Sequence, residues 1–491
     1  MPGRRPPESL FSTNPLWKPS SKHGEKAAFS LCPSLIDVAG TRAPGRAPTA
    51  RPGPGTSGRA RPAAWNGHRR PGGAGLDWRS MDEESEDPPV QRFPAASTGH
   101  APPVRAEPGE SLRPAGRDGW TLGVEEEFLL AGPGDGGPVL ANARVMAGLV
   151  GPDGSQAPGA EFKIELLASM MESVSPVCTT LAELRTLLRS SRARLARAAA
   201  RAGVRVVATG TPVGRPRAPR DVSDKKRYRE MRDLYGLLVT QQETCGCHVH
   251  VGVADREMAV EVVNRLRPWL PTLLALSANS PFCEGADTGY ESWRTVALSR
   301  WPATDIPPRF ASAAHYDQVT GMLHRSGALV ATAHPYWLAR PSARFPTVEL
   351  RAADVAATVD EAVLQAALSR ALVRTACAEI AGGGDAPPAE DEDQILRAAL
   401  WSAARYGLNG TGVHPRTGEQ VPARAILEEM LARIRPALRE VGDEPEVDRL
   451  LADLDRTGTG AERQRTLIGT GDVAAGAARV ADAFALESGD A

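Results

Sequence analysis

Lysine is nearly missing from this 491-residue chain: six lysines stand against 52 arginines. Acidic and basic residues still balance, at a formal net charge of −1, so no global field favours nucleic acid or a membrane surface. The lysine deficit, with abundant alanine and glycine, reflects a GC-rich coding sequence rather than a binding surface. Cysteine is sparse too. Cys32, Cys178, Cys245, Cys247, Cys283 and Cys377 are too few and too scattered for the disulfide framework of a small secreted domain. Nowhere do about 18 apolar residues run together, so no membrane-spanning helix is expected. The N-terminus lacks the apolar core and cleavage site of a signal peptide. These absences make the cytoplasm the expected compartment. A Gly-x-Ser-x-Gly elbow and a Gly-x-x-x-x-Gly-Lys-Ser/Thr loop are also missing, which removes support for a serine nucleophile and for a P-loop.

Composition divides the chain near residue 117. Residues 1–116 are dense in Pro, Gly, Arg and Ser, as in Pro44–Arg51 and Arg59–Gly75. Such a segment buries too little apolar surface to offset its ordering entropy and is predicted to be disordered. Its first 80 residues carry 13 Lys/Arg against 4 Asp/Glu; they read either as a targeting or anion-binding arm or as an over-extended reading frame, with Met81 the true start. Residues 117–487 are expected to form one catalytic domain. Trp120–Leu130, Gly203–Thr209, Gly246–Val253 and Phe345–Ala352 read as strands. Leu181–Arg201, Arg227–Val239, Ala259–Ala278 (interrupted by Pro268 and Pro271) and Val359–Ile380 read as helices. Gly382–Asp393 is a polar linker, and Gln394–Leu486 is mostly helical. Without a regular βαβ rhythm, the fold class is α+β.

Four segments carry chemistry. In Gly123–Phe128, strand alternation points Glu125 and Glu127 to one face and Glu126, Val124 and Phe128 to the other. Paired carboxylates repel unless a cation or arginine lies between them, and hard divalent cations take such oxygens; a solvated edge strand is the alternative. In Glu161–Cys178, Glu165 and Glu172 are acids in largely apolar surroundings, where a charged partner is expected. A helix would align the two, whereas Val174, Pro176 and Val177 suggest a strand. In Cys245–Gly252, alternation separates Cys245 and Cys247 from His248 and His250, against a closed tetrahedral zinc site. One histidine as a metal or phosphate contact, or both as core residues, remain open. In Thr347–Asp354, Glu349 and Arg351 share one strand face, as a cross-strand ion pair or as part of a site. Gly285–Arg294 and Arg405–Gly410 offer arginines for anions.

In this order, GVEEEFLL (Gly123–Leu130), ELLASMMESVSPVC (Glu165–Cys178), CGCHVHVGV (Cys245–Val253), ANSPFCEGADTGY (Ala278–Tyr290), VELRAADV (Val348–Val355), AARYGLNG (Ala403–Gly410) and TGAERQR (Thr459–Arg465) resemble the glutamate–cysteine ligase type 2 family of carboxylate–amine ligases. The resemblance covers residues 120–487 and none of 1–116. It implies a glutamine synthetase-like, glutamate–cysteine ligase fold whose antiparallel sheet, flanked by helices, cradles ATP and metals. The implied reaction joins L-glutamate to L-cysteine, or another carboxylate to another amine, through an acyl phosphate, with release of ADP and phosphate. It implies Glu125, Glu127, His248 and Glu349 as Mg²⁺ ligands, and Arg351 at the transferring phosphate, catalytic with Glu125, Glu127 and Glu349. Glu165, Glu172 and Arg294 are implied as substrate-binding residues. Partners are then small molecules, with no nucleic acid and no membrane; a homo-oligomer stays open. Cys283 replaces a large aromatic and Asn409 an aspartate, departures that bear on the amine. A metal-dependent amidohydrolase, or a non-catalytic nucleotide-binding relative, is the competing reading.

Overall fold

The computed structural model describes residues 118–134, 136–216, 218–384, 391–469 and 471–487. The 1–116 extension, Met81, and the part of the polar linker at 385–390 lie outside them. Strand β1, Leu122–Ala131, matches the strand read from the sequence but is central rather than an edge. It pairs with β3 (Met170–Val174), β4 (Arg205–Val207) and β5 (Gly246–Gly252), and β2 (Glu161–Ile164) lies beyond β3. After a short hairpin of β6 (Phe282–Cys283) and β7 (Ala286–Asp287), β8 (Ala339–Pro341) and β9 (Thr347–Asp354) complete the seven-stranded sheet. Its order is β2-β3-β1-β5-β9-β8, with β4 joined to the far end of β1. Every pairing is antiparallel. A second hairpin, β10 (Thr411–Val413) with β11 (Gln420–Pro422), interrupts the C-terminal helices.

Side-chain alternation gives this sheet two unlike faces. Leu122, Val124, Phe128 and Leu130 of β1 and Cys247, Val249 and Val251 of β5 are buried in apolar clusters. Helices Leu181–Arg201 and Val359–Ala381 cover that side, the second against β1, β5 and β9. The alanine-rich surface of Val359–Ala381 lets the helix approach closely. Its start is fixed by a capping box, in which Thr358 and Glu361 exchange side-chain-to-backbone bonds. Glu126 shares the helix-covered face. There it meets Arg192, and both side chains are fully buried, with Nη2–Oε1 at 2.5 Å. Arg192 also donates to the Ala356 and Ala357 carbonyls at 2.9 and 3.3 Å. The middle glutamate is therefore a structural residue, not an idle one.

Helix boundaries follow local chemistry. Pro268 and Pro271 divide the apolar run into helices Arg256–Leu266 and Leu270–Ser277 through a 3₁₀ turn at Arg267–Trp269. Beyond Ala423 the chain is helical, and its last helix, Val473–Glu487, returns to the sheet. There the Phe484 and Phe128 rings meet edge-on with centroids 5.4 Å apart. Among the described residues, no helix is long and apolar enough to cross a membrane.

Candidate metal and substrate site

The other sheet face carries charge across six strands. Register sets Lys163 of β2 beside Glu172 of β3, and Glu172 opposite Glu127 of β1. One step along, Glu125 of β1 lies opposite His248 of β5. Further on, His250 of β5 pairs with Glu349 of β9, and Glu349 with Arg340 of β8. The acids, imidazoles and arginines thus form a diagonal band, set by alternation within strands and register between them.

Glu125 lies between the imidazoles, with Oε2 3.5 Å from His248 Nδ1 and Oε1 3.4 Å from His250 Nε2. Burial opposes its ionisation, yet the two histidines hold its carboxyl well below the usual range. Burial and the Arg351 charge push His248 down to about 3, so this ring is neutral. His250 moves the other way: burial works against its cation, but Glu125 and Glu349 prevail and raise it. Glu349 receives Arg340 Nε at 2.7 Å and Nη2 at 3.1 Å, and also bonds Arg351. Burial disfavours its charge, but those two guanidiniums hold it far below the carboxylate range.

The opposite end of the band is short of positive charge. Glu127 accepts the Gly246 N–H at 2.7 Å, yet burial and the neighbouring Glu165 push its carboxyl up to about 7. Glu172 is raised as well, by burial and by Glu125 and Glu165, although Lys163 lies 3.5 Å away. Gly246 itself leaves room where a side chain would collide: a Cβ there would strike the Arg294 guanidinium and lie 2.9 Å from His248 Nε2.

These donors suit a hard divalent cation. Ligand atoms of Glu125, His250 and Glu349 all lie within 4.8 Å of one another, the grouping of this kind found among the described residues. The Nε2 atoms of His248 and His250 are buried and make no hydrogen bond. Carboxyls held up by burial and by one another would be relieved by positive charge. Cysteine takes no part: Cys247 belongs to one apolar cluster and Cys245 to another.

Glu125, Glu127, His248, Glu349 and Arg351, singled out in the sequence, are thus neighbours. Glu165 and Glu172 flank them on the β2–β3 side. Arg294 is 3 % exposed, with its guanidinium on the Ala352 and Arg351 carbonyls at 3.4 and 3.3 Å and 3.8 Å from Asp354. It braces the end of β9 from within. Asn409 bonds Glu462 and Arg424 instead of this band. Sequence reasoning gave no ground to rank His250 above His248, since both alternate onto one face. Arg340 was missed altogether, because it lies in a three-residue strand whose pairing is visible only in the fold.

An antiparallel sheet backed by helices on one side and lined with acids, imidazoles and arginines on the other defines an α+β protein of the glutamate–cysteine ligase fold. Two solved structures share that fold. A glutamate–cysteine ligase from Francisella tularensis in complex with AMP has a TM-score of 0.50 and 14% identity, covering 74% of this chain and 88% of that one. A bifunctional glutathione synthetase from Pasteurella multocida has a TM-score of 0.52 and 15% identity, covering 75% of this chain and 52% of that one. Residues 121–483 match glutamate–cysteine ligase family 2, and the chain belongs to this family. A Saccharopolyspora erythraea relative named "Putative glutamate–cysteine ligase 2-2" is 44% identical over 383 residues, 78% of this chain and 94% of the relative.

Proposed function

We propose that the protein is an ATP- and Mg²⁺-dependent carboxylate–amine ligase that joins the γ-carboxylate of L-glutamate to the amino group of L-cysteine. The observation that carries this reading is the convergence of Glu125, His250 and Glu349 within ligand distance, beside Arg351. Family membership and the shared fold support it. Phosphoryl transfer asks for positioning and charge neutralisation more than for a covalent nucleophile, and the sheet supplies such groups. Glu125, Glu349 and His250, with Glu127 and His248 adjoining, would hold magnesium, which when bound neutralises and polarises phosphate oxygens. Arg351, bonded to Glu349, would stabilise charge on the transferring γ-phosphoryl group as it moves from ATP to the carboxylate. The γ-glutamyl phosphate so formed is attacked by the amine; the amide bond forms, phosphate leaves, and the amine's proton passes to solvent or a nearby carboxylate.

The test is ADP release by the full chain with ATP, MgCl₂, L-glutamate and a panel of amines. ADP that appears only when carboxylate and amine are both present supports a ligase. ADP release indifferent to the amine would favour hydrolysis. Glu125→Gln and Glu349→Gln are expected to lower turnover by at least about a hundredfold while the protein stays folded by circular dichroism, consistent with loss of a preorganised charge. Near-normal rates in either variant overturn the metal assignment.

A further inference from the structure

Behind one of the two imidazoles stands a hydroxyl, that of Thr347. It opens β9 two residues before Glu349, so both side chains leave the strand on the charged face. Across the β5–β9 pairing, Glu349 stands opposite His250 and Thr347 opposite Gly252. His250 and Thr347 are therefore diagonal neighbours, a separation that a ring and a short side chain can close. They close it: His250 Nδ1 and Thr347 Oγ1 are 3.1 Å apart.

The hydroxyl has a fixed base. Thr347 N–H donates to the Phe345 carbonyl at 2.7 Å, and the Thr347 carbonyl accepts the Ser342 N–H at 2.9 Å. These bonds close the turn between β8 and β9. The turn that sets Arg340 against Glu349 thus also sets Thr347 behind His250. Branching at Cβ leaves the side chain few rotamers of its own.

A hydroxyl can donate or accept, so the contact admits two tautomers of a neutral ring. If the hydroxyl donates to Nδ1, the ring carries its proton on Nε2. That nitrogen is buried with no acceptor in hydrogen-bonding geometry, and Glu125 Oε1 is 3.4 Å away. An N–H there would be left without a partner, which buried donors rarely are. If Nδ1–H donates to Thr347 instead, its proton is satisfied and Nε2 presents a lone pair towards the acids. A lone pair among carboxylates is stable when a cation lies between them. Ligand atoms of Glu125, His250 and Glu349 within 4.8 Å of one another meet that need. Metal-bound imidazoles as a rule donate their second N–H to a fixed acceptor, which sets both tautomer and ring orientation. His248 is held otherwise: its Nδ1 faces Arg351 Nη1, which can only donate, at 3.3 Å.

We infer that Thr347 is a positioning residue for His250: its hydroxyl accepts the Nδ1 proton and so turns a free Nε2 lone pair towards a divalent cation shared with Glu125 and Glu349. The inference rests on the proposed function for the cation, and not for the reaction that the cation serves.

The experiment titrates the full chain with MnCl₂ alone, without nucleotide or amino acid, and follows bound Mn²⁺ by electron paramagnetic resonance. Mn²⁺ takes carboxylate and water oxygens as Mg²⁺ does, and pulsed spectra of the bound ion report coupling to a directly ligated imidazole nitrogen. Thr347→Val keeps the shape of the side chain and removes the hydroxyl, which Thr347→Ser retains. Thr347→Val is expected to weaken Mn²⁺ binding by about ten- to a hundredfold and to reduce the nitrogen coupling. Thr347→Ser should stay close to the parent in both, and His250→Asn should lose the coupling. Should Thr347→Val fail to fold by circular dichroism, Thr347→Ala takes its place under the same criteria. The inference is overturned if the parent binds no Mn²⁺, if its bound Mn²⁺ shows no nitrogen coupling, or if loss of the hydroxyl leaves affinity and coupling as in the parent. It also falls if His250→Asn keeps the coupling undiminished, which would make His248 the ligand. Thr347-dependent Mn²⁺ binding without amine-dependent ADP release would sink the ligase reading and leave this inference standing. Amine-dependent ADP release with Mn²⁺ binding indifferent to Thr347→Val would do the reverse.

Discussion

Glu127 illustrates how one residue's surroundings turn an ordinary carboxyl into a pH-dependent liability. In the metal-free protein, burial and Glu165 raise it to about 7, against roughly 4.5 for an unfolded glutamate. The folded chain then keeps a proton that the unfolded chain has released. Stability is therefore expected to fall as pH rises from about 4.5 to 7, by an amount on the order of a few kcal/mol. Glu125 and Glu349 have the opposite sign, since their folded carboxyls are lowered, and their contribution is lost only as pH falls below the ordinary range. Thermal melts of the chelated protein between pH 5 and 8, compared with Glu127→Gln, isolate the Glu127 effect. The parent should lose stability across the window, the variant should lose less, and MgCl₂ should restore the parent above pH 7. A parent whose melting point does not decline in chelator would contradict the charge arrangement.

At the scale of the element, β1 serves two environments with alternate residues. Glu125 and Glu127 face the charged band, while Glu126 faces Arg192 in the closed core. Breaking a buried ion pair by removing one charge costs about 3–5 kcal/mol. Glu126→Gln is thus expected to lower the denaturant midpoint strongly, whereas Glu125→Gln should affect turnover far more than stability. Equal stability of Glu126→Gln and the parent would refute this division. The alternation was legible in the sequence, as were the boundaries of helix Leu181–Arg201 and the division of the run Ala259–Ala278 at its prolines. The partner of Glu126 was not, because Arg192 lies on a helix whose arginines look alike in sequence and only packing selects the one turned inward. The same limit hid Arg340: a three-residue strand has too little periodicity to announce itself, and its register against Glu349 is a property of the assembled sheet. Glu172 showed the intermediate case, since its need for a charged partner was readable but the choice of Lys163 followed only from the β2–β3 pairing.

Across the whole molecule, a buried polar junction ties the late helices to the sheet that bears the site. Asp354, at the end of β9, accepts from the Asn279 N–H and from the Ser280 and Ser292 hydroxyls at 2.9, 2.7 and 2.9 Å. Asn279 in turn donates to the Ala208 and Val355 carbonyls and receives Gln464 from helix Gly460–Ile468. Gly460 allows that helix to approach, because a Cβ there would strike the Asn279 amide, with Cγ at 2.6 Å. Asn279 is held on three sides and cannot swing away. Gly460→Ala should therefore destabilise by about 1–3 kcal/mol, as overpacking does, and a calorimetric melt indistinguishable from the parent would show the junction to be looser than drawn. The contact of Phe128 with Phe484 extends the same dependence to the order of synthesis. The first strand of the sheet leaves the ribosome long before the helix that covers its aromatic side chain. At ~5–20 residues per second that interval is on the order of tens of seconds, during which Phe128 and its neighbours lack their final cover. The finished fold waits for its last helix.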